Sequence, residues 1–254
     1  MTVRVVFLAS RRHLTHPTVS RFLGSSRARG HDVAFCTKEE FLRANLSGVD
    51  VVCMKSHYDD WGVWSHLERG GARAVNARSA IKACSDRRAL DELLRAHEVT
   101  TPTSAKDEEG LRRLEFPVIR KPRLAWRHDL LVLDGVPESP DFDQYFYQQA
   151  VPGDGYDYKV YCAGEVTFGV VRPSSFAKPF EEKASVSHQL DSLPEGLSEL
   201  AVYVGKVTGL EIYGVDFVGR DGKFWLVDVN PFPGFIGVPN AAEAWWDYLE
   251  SSVA

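Results

Sequence analysis

Two apolar, β-rich runs flank a short polar turn in the segment YGVDFVGRDGKFWLVDVN, residues 213–230. This pattern predicts a β-hairpin. Each run carries one carboxylate with apolar neighbours on both sides, Asp216 in the first run and Asp228 in the second. Because an unpaired charge among apolar side chains is costly, the fold around this hairpin has to give both acids a partner.

The length of the turn decides whether the two acids meet. Residues 220–222 read RDG, which predicts a three-residue loop with its glycine in the left-handed position. In that register Asp216 lies opposite Leu226, and Asp228 and Asn230 follow on the same face, because side chains alternate between the faces of a strand. A two-residue loop would place Asp216 and Asp228 on opposite faces.

Two carboxylates and an amide oxygen are ligands that suit a hard divalent cation. No Cys or His stands near them in the sequence, which favours Mg²⁺ over a transition metal. We therefore predict that Asp216, Asp228 and Asn230 bind Mg²⁺. The alternative is an exposed acidic strand that simply ends at the prolines and the glycine of residues 231–234.

Composition limits the class of protein. The chain has 254 residues, 44% of them hydrophobic, so it can bury a large core, which argues against disorder. A net charge of −5 argues against a nucleic-acid-binding surface. No segment approaches the roughly 20 apolar residues that span a bilayer, and the four cysteines lie far apart. We expect a soluble cytoplasmic protein with reduced thiols and with neither nucleic acid nor membrane as a partner.

The order of predicted elements indicates a parallel layer followed by antiparallel ones. Short β-rich runs alternate with helical patterns in the first part of the chain, which predicts a parallel sheet. The runs FPVIRKP, HDLLVLDG and YFYQQAVPG predict a small antiparallel layer, and DYKVYCAGEVTFGVVRPSS predicts a hairpin. Helices are predicted over residues 17–29, 85–99, 197–208 and 243–250.

A Mg²⁺ site suggests a nucleotide, yet the sequence lacks the glycine-rich loops of P-loop and Rossmann proteins. Basic side chains would then hold the phosphates, and Lys121, Lys159 and Arg172 lie on predicted strands. A buried cation is costly unless an anion offsets its charge; exposure on an edge strand is the alternative for each. The segment YQQAV, residues 147–151, is predicted to link two lobes and to contact adenine through its backbone and Gln148.

The motifs SDR, FPVIRKP, YQQAV, DYKVYCAG, VVRPS, YGVDF and DVNPFPG, in this order, resemble those of the ATP-grasp superfamily. Within it, the chain is most similar to the inositol 1,3,4-trisphosphate 5/6-kinase (inositol-tetrakisphosphate 1-kinase) family. The resemblance implies an α/β protein with an α+β grasp fold. A parallel pre-grasp domain would span residues 1–78, and two lobes with antiparallel sheets would span residues 79–152 and 153–254, with the Mg²⁺ site in the last.

The resemblance also implies roles for individual residues. It implies catalytic roles for Arg172, Lys159 and His128, and two Mg²⁺ ions held by Asp216, Asp228 and Asn230. ATP would contact Arg87, Lys121, Gln148, Gln149, Ala150, Val151 and Lys159. The acceptor substrate would contact Arg123, Arg127, His128, Arg172, Ser174, Lys183, His188 and Gly234.

The function implied by the resemblance is Mg-ATP-dependent transfer of the γ-phosphoryl group to an anionic small molecule, most closely a phosphorylated polyol. The alternative is an ADP-forming carboxylate-amine ligase that acts through an acylphosphate. A polyphosphate requires more cations than an amino acid does, and the closeness of Arg123, Arg127 and His128 favours the kinase. A nucleotide-binding scaffold without turnover is a third hypothesis, although such a protein would not need both acids and Asn230.

Two predicted helices are rich in tryptophan, WGVWSHLERG and AEAWWDYLE. Such tryptophans pack more often into a core or a subunit contact than around a ligand. These helices are therefore the first faces to consider for a homodimer.

Overall fold

The computed structural model describes residues 2–56, 59–125, 129–174 and 188–253, and its first layer is the predicted parallel sheet. The strands are β1 (Arg4–Leu8), β2 (Asp32–Cys36), β3 (Val51–Met54) and β4 (Arg73–Val75). They pair in parallel in the order β2-β1-β3-β4. Because β2 and β3 lie on opposite sides of β1, the winding direction of the chain reverses between β1 and β3.

Short helices connect these strands. They are α1 (Pro17–Ser25), α2 (Lys38–Phe41) and α3 (Trp61–Gly70), with 3-10 turns at Arg11–Thr15 and Arg27–Arg29. The helix predicted over residues 17–29 is shorter than expected, because α1 ends at Ser25 and a 3-10 turn follows. Gly30 ends that turn at a φ of +77°, a left-handed conformation that glycine adopts without the usual steric cost.

The predicted antiparallel layer forms the middle of the chain. Two helices precede it, α4 (Arg78–Ser85) and α5 (Arg87–Ala96), and Asp86 caps the second by accepting the N–H groups of Arg88 and Ala89. The following elements are β5 (Ser104–Ala105), α6 (Glu108–Arg112), β6 (Val118–Pro122), β7 (Leu131–Leu133) and β8 (Tyr145–Gln149). The strands pair antiparallel in the order β5-β8-β6-β7.

A second antiparallel sheet ends the chain. Its strands are β9 (Tyr156–Ala163), β10 (Val166–Pro173), β11 (His188–Gln189), β12 (Ile212–Arg220) and β13 (Lys223–Pro231), in the order β11-β10-β9-β12-β13. Two helices accompany it, α7 (Leu197–Thr208), which has the predicted bounds, and α8 (Ala241–Val253). Among the described residues, no helix has the length and apolar content needed to cross a bilayer.

Each sheet lies within one of the three predicted domains. The parallel sheet ends at residue 75, the central sheet spans residues 104–149, and the last sheet spans residues 156–231. The domain boundaries themselves remain a prediction.

The largest core joins the two ends of the chain. Phe7 of β1 and Phe22 of α1 pack against Trp245 and Trp246 of α8, and both tryptophans are fully buried. The tryptophans of α8 therefore belong to the core and offer no face to a second subunit. In α3, Trp61 is 63% exposed, so a homodimer contact there stays a prediction.

The turn of the β12-β13 hairpin differs from the predicted one. Arg220 pairs with Lys223, so the loop has two residues instead of three. Asp221 and Gly222 have φ values of 52° and 73°, as in a type I′ turn, whose twist matches that of the flanking strands. The prediction of a three-residue loop is therefore wrong.

A β-bulge nevertheless brings the two acids to the same face. Leu226 lies opposite Phe217, but the register then shifts, and Asp216 lies opposite Asp228. The extra residue is Val227, which has no partner of its own across the strand pair, as in a β-bulge. The predicted pairing of Asp216 with Leu226 is wrong, whereas the predicted shared face of the acids is confirmed.

Candidate active site

The three predicted Mg²⁺ ligands lie together on β12 and β13. Asp216 is directly opposite Asp228, and the side-chain Nδ2 of Asn230 donates to Oδ2 of Asp216 at 3.1 Å. The Asp216 side chain is 15% exposed and that of Asp228 is 27% exposed. Both acids are thus largely removed from water, Asp216 more than Asp228.

Lys159 is the cationic partner of this pair. It lies opposite Asp216 on the neighbouring strand β9, and its Nζ is 2.8 Å from Oδ1 of Asp216. Burial disfavours the charged ammonium, but the attraction of Asp216 prevails and raises the pKa of Lys159. The pKa of Asp216 is also raised, by burial and by the charge of Asp228, against the attraction of Lys159.

Lys121 approaches the hairpin from the central sheet. Its side chain is almost fully buried on β6, and Nζ donates to Oε1 of Gln148 at 2.8 Å and to the carbonyl of Val227 at 2.7 Å. Burial lowers the pKa of Lys121 to about 8, although the charge of Asp228 acts in the opposite direction. The predicted phosphate-binding lysine therefore lies within the site, held by the bulge that aligns the acids.

Arg87 lies beside the acids but directs its N–H groups to the backbone. Its guanidinium donates to the carbonyls of Pro122 and Leu124, at 2.8 and 3.3 Å, and its Nε is 3.5 Å from Oδ1 of Asp228. These bonds fix the end of β6 against the start of α5. The predicted contact of Arg87 with ATP phosphates stays a prediction.

The segment predicted to contact adenine runs along the end of β8. The backbone N–H of Gln149 donates to the Thr103 carbonyl, and that of Ala150 donates to the Pro117 carbonyl, at 2.8 and 3.0 Å. These two donors are therefore engaged within the protein, as is Oε1 of Gln148. The contacts of residues 148–151 with adenine remain a prediction.

The predicted acceptor residues do not form one cationic pocket in the described residues. Arg123 is bound to Asp86, with Nε 2.7 Å from Oδ2, and Arg172 lies 3.6 Å from Asp157 across the β9-β10 pair. Ser174 is buried just after β10. Each of these arginines thus has a protein carboxylate nearby, at hydrogen-bond distance only for Arg123.

The remaining acceptor residues are dispersed. His188 is exposed on β11 and lies opposite Val171, the residue before Arg172. Gly234 lies in the loop after β13, against the imidazole of His16. Three predicted residues, Arg127, His128 and Lys183, lie outside the described residues.

Sequence reasoning missed a group of basic residues beside Gly234. Lys55, which follows β3, donates from Nζ to the carbonyl of Phe232, in the loop after β13. His13 and His16 come from the segment after β1 and interact electrostatically with Lys55. The available signal was the position of these residues, since polar side chains at the carboxyl ends of parallel strands often line a ligand site.

The donor set fits Mg²⁺. In the described ranges, no three His, Cys, Asp or Glu side chains cluster as metal ligands, so a site here has two carboxylates and one amide. Such a set leaves coordination positions for water and phosphate oxygens, which Mg²⁺ prefers. A divalent cation would also offset the charge of Asp228, which together with the larger effect of burial raises the pKa of Asp216.

Two curated relatives are similar in sequence, and no protein-family model matches the chain. Human β-citrylglutamate synthase B is 27% identical over 207 residues, covering 72% of this chain and 53% of the relative. The mouse protein of the same name is 26% identical over 206 residues, covering 72% of this chain and 52% of the relative. The chain therefore spans about half the length of the curated relatives it matches.

Several solved structures share the fold over nearly the whole chain. D-alanine-D-alanine ligase from Bacillus anthracis, in complex with ATP, has a TM-score of 0.75 at 15% identity and covers 99% of this chain and 97% of its own. A RimK domain ATP-grasp protein from Sphaerobacter thermophilus has a TM-score of 0.71 at 17% identity, covering 98% and 100%. The ATP-grasp ligase PsnB with a minimal precursor, Mg and ADP has a TM-score of 0.72 at 17% identity, covering 99% and 97%.

These similarities show that the chain has the ATP-grasp fold, which confirms the fold that the motifs imply. None of the proteins named above is an inositol kinase. The narrower similarity to that family therefore stays a prediction.

Proposed function

We propose that this chain is a Mg²⁺- and ATP-dependent, ADP-forming carboxylate-amine ligase. The observation that carries the proposal is the pair Asp216 and Asp228, which face each other beside Lys159 in an ATP-grasp fold. ATP is bound in one similar structure, and Mg with ADP in another. The curated relatives are synthases by name, which also supports ligation.

Charge around the acceptor favours the ligase over the kinase. A phosphorylated polyol needs several uncompensated cations, whereas a carboxylate needs one or two. Of the acceptor arginines that the structure describes, Arg123 is paired with Asp86, and Arg172 lies 3.6 Å from Asp157. Phosphoryl transfer to a polyol remains the second candidate, supported by the motifs VVRPS and DVNPFPG.

The phosphates of ATP would lie between the hairpin acids and the two buried lysines. Asp216, Asp228 and Asn230 would hold Mg²⁺, as one ion or two, which neutralises charge on phosphate oxygens. Lys121 and Lys159 would add fixed positive charge where the γ-phosphoryl group is transferred. Because the donors are already held in place, little reorganisation accompanies the reaction.

The reaction would proceed in two steps. A carboxylate oxygen of the acceptor attacks the γ-phosphorus, the bond from that phosphorus to the β-phosphate oxygen breaks, and ADP leaves with its electron pair. The amine nitrogen of the second substrate then attacks the acyl carbon of the acylphosphate. The carbon-oxygen bond breaks, phosphate leaves, and the amine proton passes to solvent, which leaves an amide.

Hydroxylamine tests this sequence, because it traps acylphosphates as hydroxamates. We expect ADP and an iron-coloured hydroxamate to form together from Mg-ATP, hydroxylamine and members of a panel of mono-, di- and tricarboxylates. The kinase instead predicts ADP with a new phosphomonoester signal in the phosphorus-31 NMR spectrum when phosphorylated polyols are supplied. If the phosphomonoester signal appeared and no acid gave a hydroxamate, the protein would be a kinase and our proposal would be wrong.

Two variants connect the reaction to the acids. Asp228→Asn should reduce ADP formation at least about 100-fold, since the loss of a transition-state charge contact of this kind costs a few kcal/mol. Asp221→Asn is the matched control, because Asp221 lies in the turn of the same hairpin with its side chain 86% exposed. If Asp228→Asn formed ADP at the wild-type rate, as Asp221→Asn is expected to do, the acid pair would not carry the reaction.

A further inference from the structure

Four basic side chains lie together at the carboxyl ends of β1 and β3. Three belong to the segment after β1, Arg12, His13 and His16, and the fourth, Lys55, follows β3 directly. We call this group the N-terminal basic cluster. No function proposed above uses it.

The cluster lies at the point where ligands bind in open parallel sheets. The chain reverses its winding direction between β1 and β3 in the order β2-β1-β3-β4. In open sheets the segments that leave two such strands diverge, and ligands generally bind in the crevice between them. Helix α1 begins directly after His16, at Pro17, and no side chain caps its first turn, so its partial positive charge adds to that of the cluster.

The cluster also contacts the loop that follows the hairpin acids. Lys55 Nζ donates to the carbonyl of Phe232, and Thr18 Oγ1 donates to the carbonyl of Gly234 at 2.8 Å. A Cβ on Gly234 would lie 2.3 Å from Nε2 of His16, so only glycine allows the imidazole this position. Phe232 is two residues from Asn230, which limits the distance between their Cα atoms to about 7.6 Å.

The positive charge of the cluster is not balanced by the protein. Within the described ranges, no carboxylate pairs with any of its four members, whereas the neighbouring Arg11 pairs with Glu40 at 3.2 Å. Burial and then Lys55 lower the pKa of His13 to about 4, and the same two causes lower that of His16. Burial and then Arg12 lower the pKa of Lys55 to about 8. A bound anion would relieve this repulsion.

We propose that the N-terminal basic cluster binds a second anionic group of the acceptor, remote from the carboxylate that becomes phosphorylated. This inference rests on the proposed ligase function and narrows its substrate class to acids with at least two anionic groups. Arg12 supplies a planar fork of donors that matches a carboxylate or a phosphate. The neutral imidazoles of His13 and His16 supply single N–H donors, and Lys55 supplies a point charge. The second group is therefore a carboxylate or a phosphate.

Titration calorimetry without ATP tests the site. The probes are propane-1,2,3-tricarboxylate, inorganic phosphate and, as a monovalent reference, butyrate. We expect Arg12→Gln to weaken tricarboxylate or phosphate binding at least 10-fold and to leave butyrate unaffected. Arg11→Gln is the matched control, because Arg11 is the adjacent arginine but is already paired with Glu40, and its affinities should equal those of the wild type.

Histidine resonances give a second readout that does not depend on a variant. The proton and nitrogen-15 signals of His13 and His16 should shift on addition of the preferred probe. Those of His66, which lies on α3 and bonds to the Ala44 carbonyl, should not. The stronger probe identifies the anion, since tricarboxylate alone points to a polycarboxylic acid and phosphate alone to a phosphorylated acid.

Equal tricarboxylate and phosphate affinities in the wild type and in Arg12→Gln, with unshifted His13 and His16 signals, would overturn the inference. That result leaves the ligase function standing if hydroxamate still forms from an acid. Conversely, loss of anion binding in Arg12→Gln supports the site even if no acid yields hydroxamate, an outcome that rejects the ligase alone. Arg12 is exposed, so this variant keeps the core intact.

Discussion

Asp216 lies directly opposite Asp228 because one residue, Val227, is inserted into β13 as a bulge. The carbonyl of Val227 accepts a hydrogen bond from Lys121 Nζ at 2.7 Å. The residue that aligns the two acids is therefore also the residue that binds a lysine of the central sheet. The bulge couples the position of the acids to that of the lysine.

The type I′ turn should be sensitive to substitution of Gly222. A side chain at its φ of 73° meets no neighbouring atom but adopts a left-handed backbone, so Gly222→Ala should lower the free energy of unfolding by about 1 kcal/mol. Urea denaturation measures the change. Gly135→Ala is the control, because it also meets open space and has no positive φ. An equal effect of both substitutions would contradict the proposed turn.

Removing Lys159 should leave Asp216 without its cation. Lys159→Met is expected to destabilise the protein by about 3 kcal/mol, since a largely buried carboxylate then lacks a partner. The measurement is urea denaturation in the presence of EDTA. Adding Asp216→Asn to Lys159→Met should recover much of that loss, because the amide carries no charge. If the double variant lost as much free energy of unfolding as the two single variants together, the two residues would not interact.

Lys121 should make stability depend on pH between about 8 and 10.5. Its pKa is lowered from 10.5 to about 8 in the folded state, so the unfolded chain binds more protons in this window and stability rises with pH. Relative to Lys121→Met, the wild type should gain about 3 kcal/mol across that window. The comparison cancels the titration of other groups. Lys206→Met, at an exposed position of α7, should follow the wild type, and parallel curves for all three proteins would refute the burial of Lys121.

The cysteines should resist thiol reagents in the folded protein. All four are free and buried, and burial raises the pKa of each thiol. An aromatic disulfide reagent at pH 8 should therefore react slowly with the native chain and with four thiols per chain in guanidinium chloride. Rapid reaction of one thiol in the native protein would reveal an opening of the core that contains it.

Local patterns predicted the elements of the hairpin but not its register. The alternation of apolar residues identified both strands, and the acids share a face as predicted. The two-residue turn and the bulge depend on strand twist and on the contact of Val227 with Lys121, 106 residues away. Neither effect can be read from the segment itself. The predicted loop was one residue too long, and the bulge at Val227 adds one residue, so the two errors cancelled.

Contacts between residues that are far apart in the sequence were the other features that the sequence could not predict. Arg123 pairs with Asp86, 37 residues earlier, a partner that the sequence did not indicate, and its binding of the acceptor stays a prediction. Lys55 escaped prediction because its acceptor, the Phe232 carbonyl, is 177 residues away. Periodicity reports which face of a strand is buried, and it contains no information on which element will cover that face.

The position of α8 has a consequence for synthesis of the chain. Phe7 and Phe22 are made early, yet their core partners Trp245 and Trp246 come from the last helix. At about 5 to 20 residues per second, roughly 12 to 48 s separate the synthesis of Phe7 from that of Trp245. During that time the face of the parallel sheet that α8 covers in the folded protein is open to chaperones and to neighbouring nascent chains, and it is covered only once α8 has left the exit tunnel.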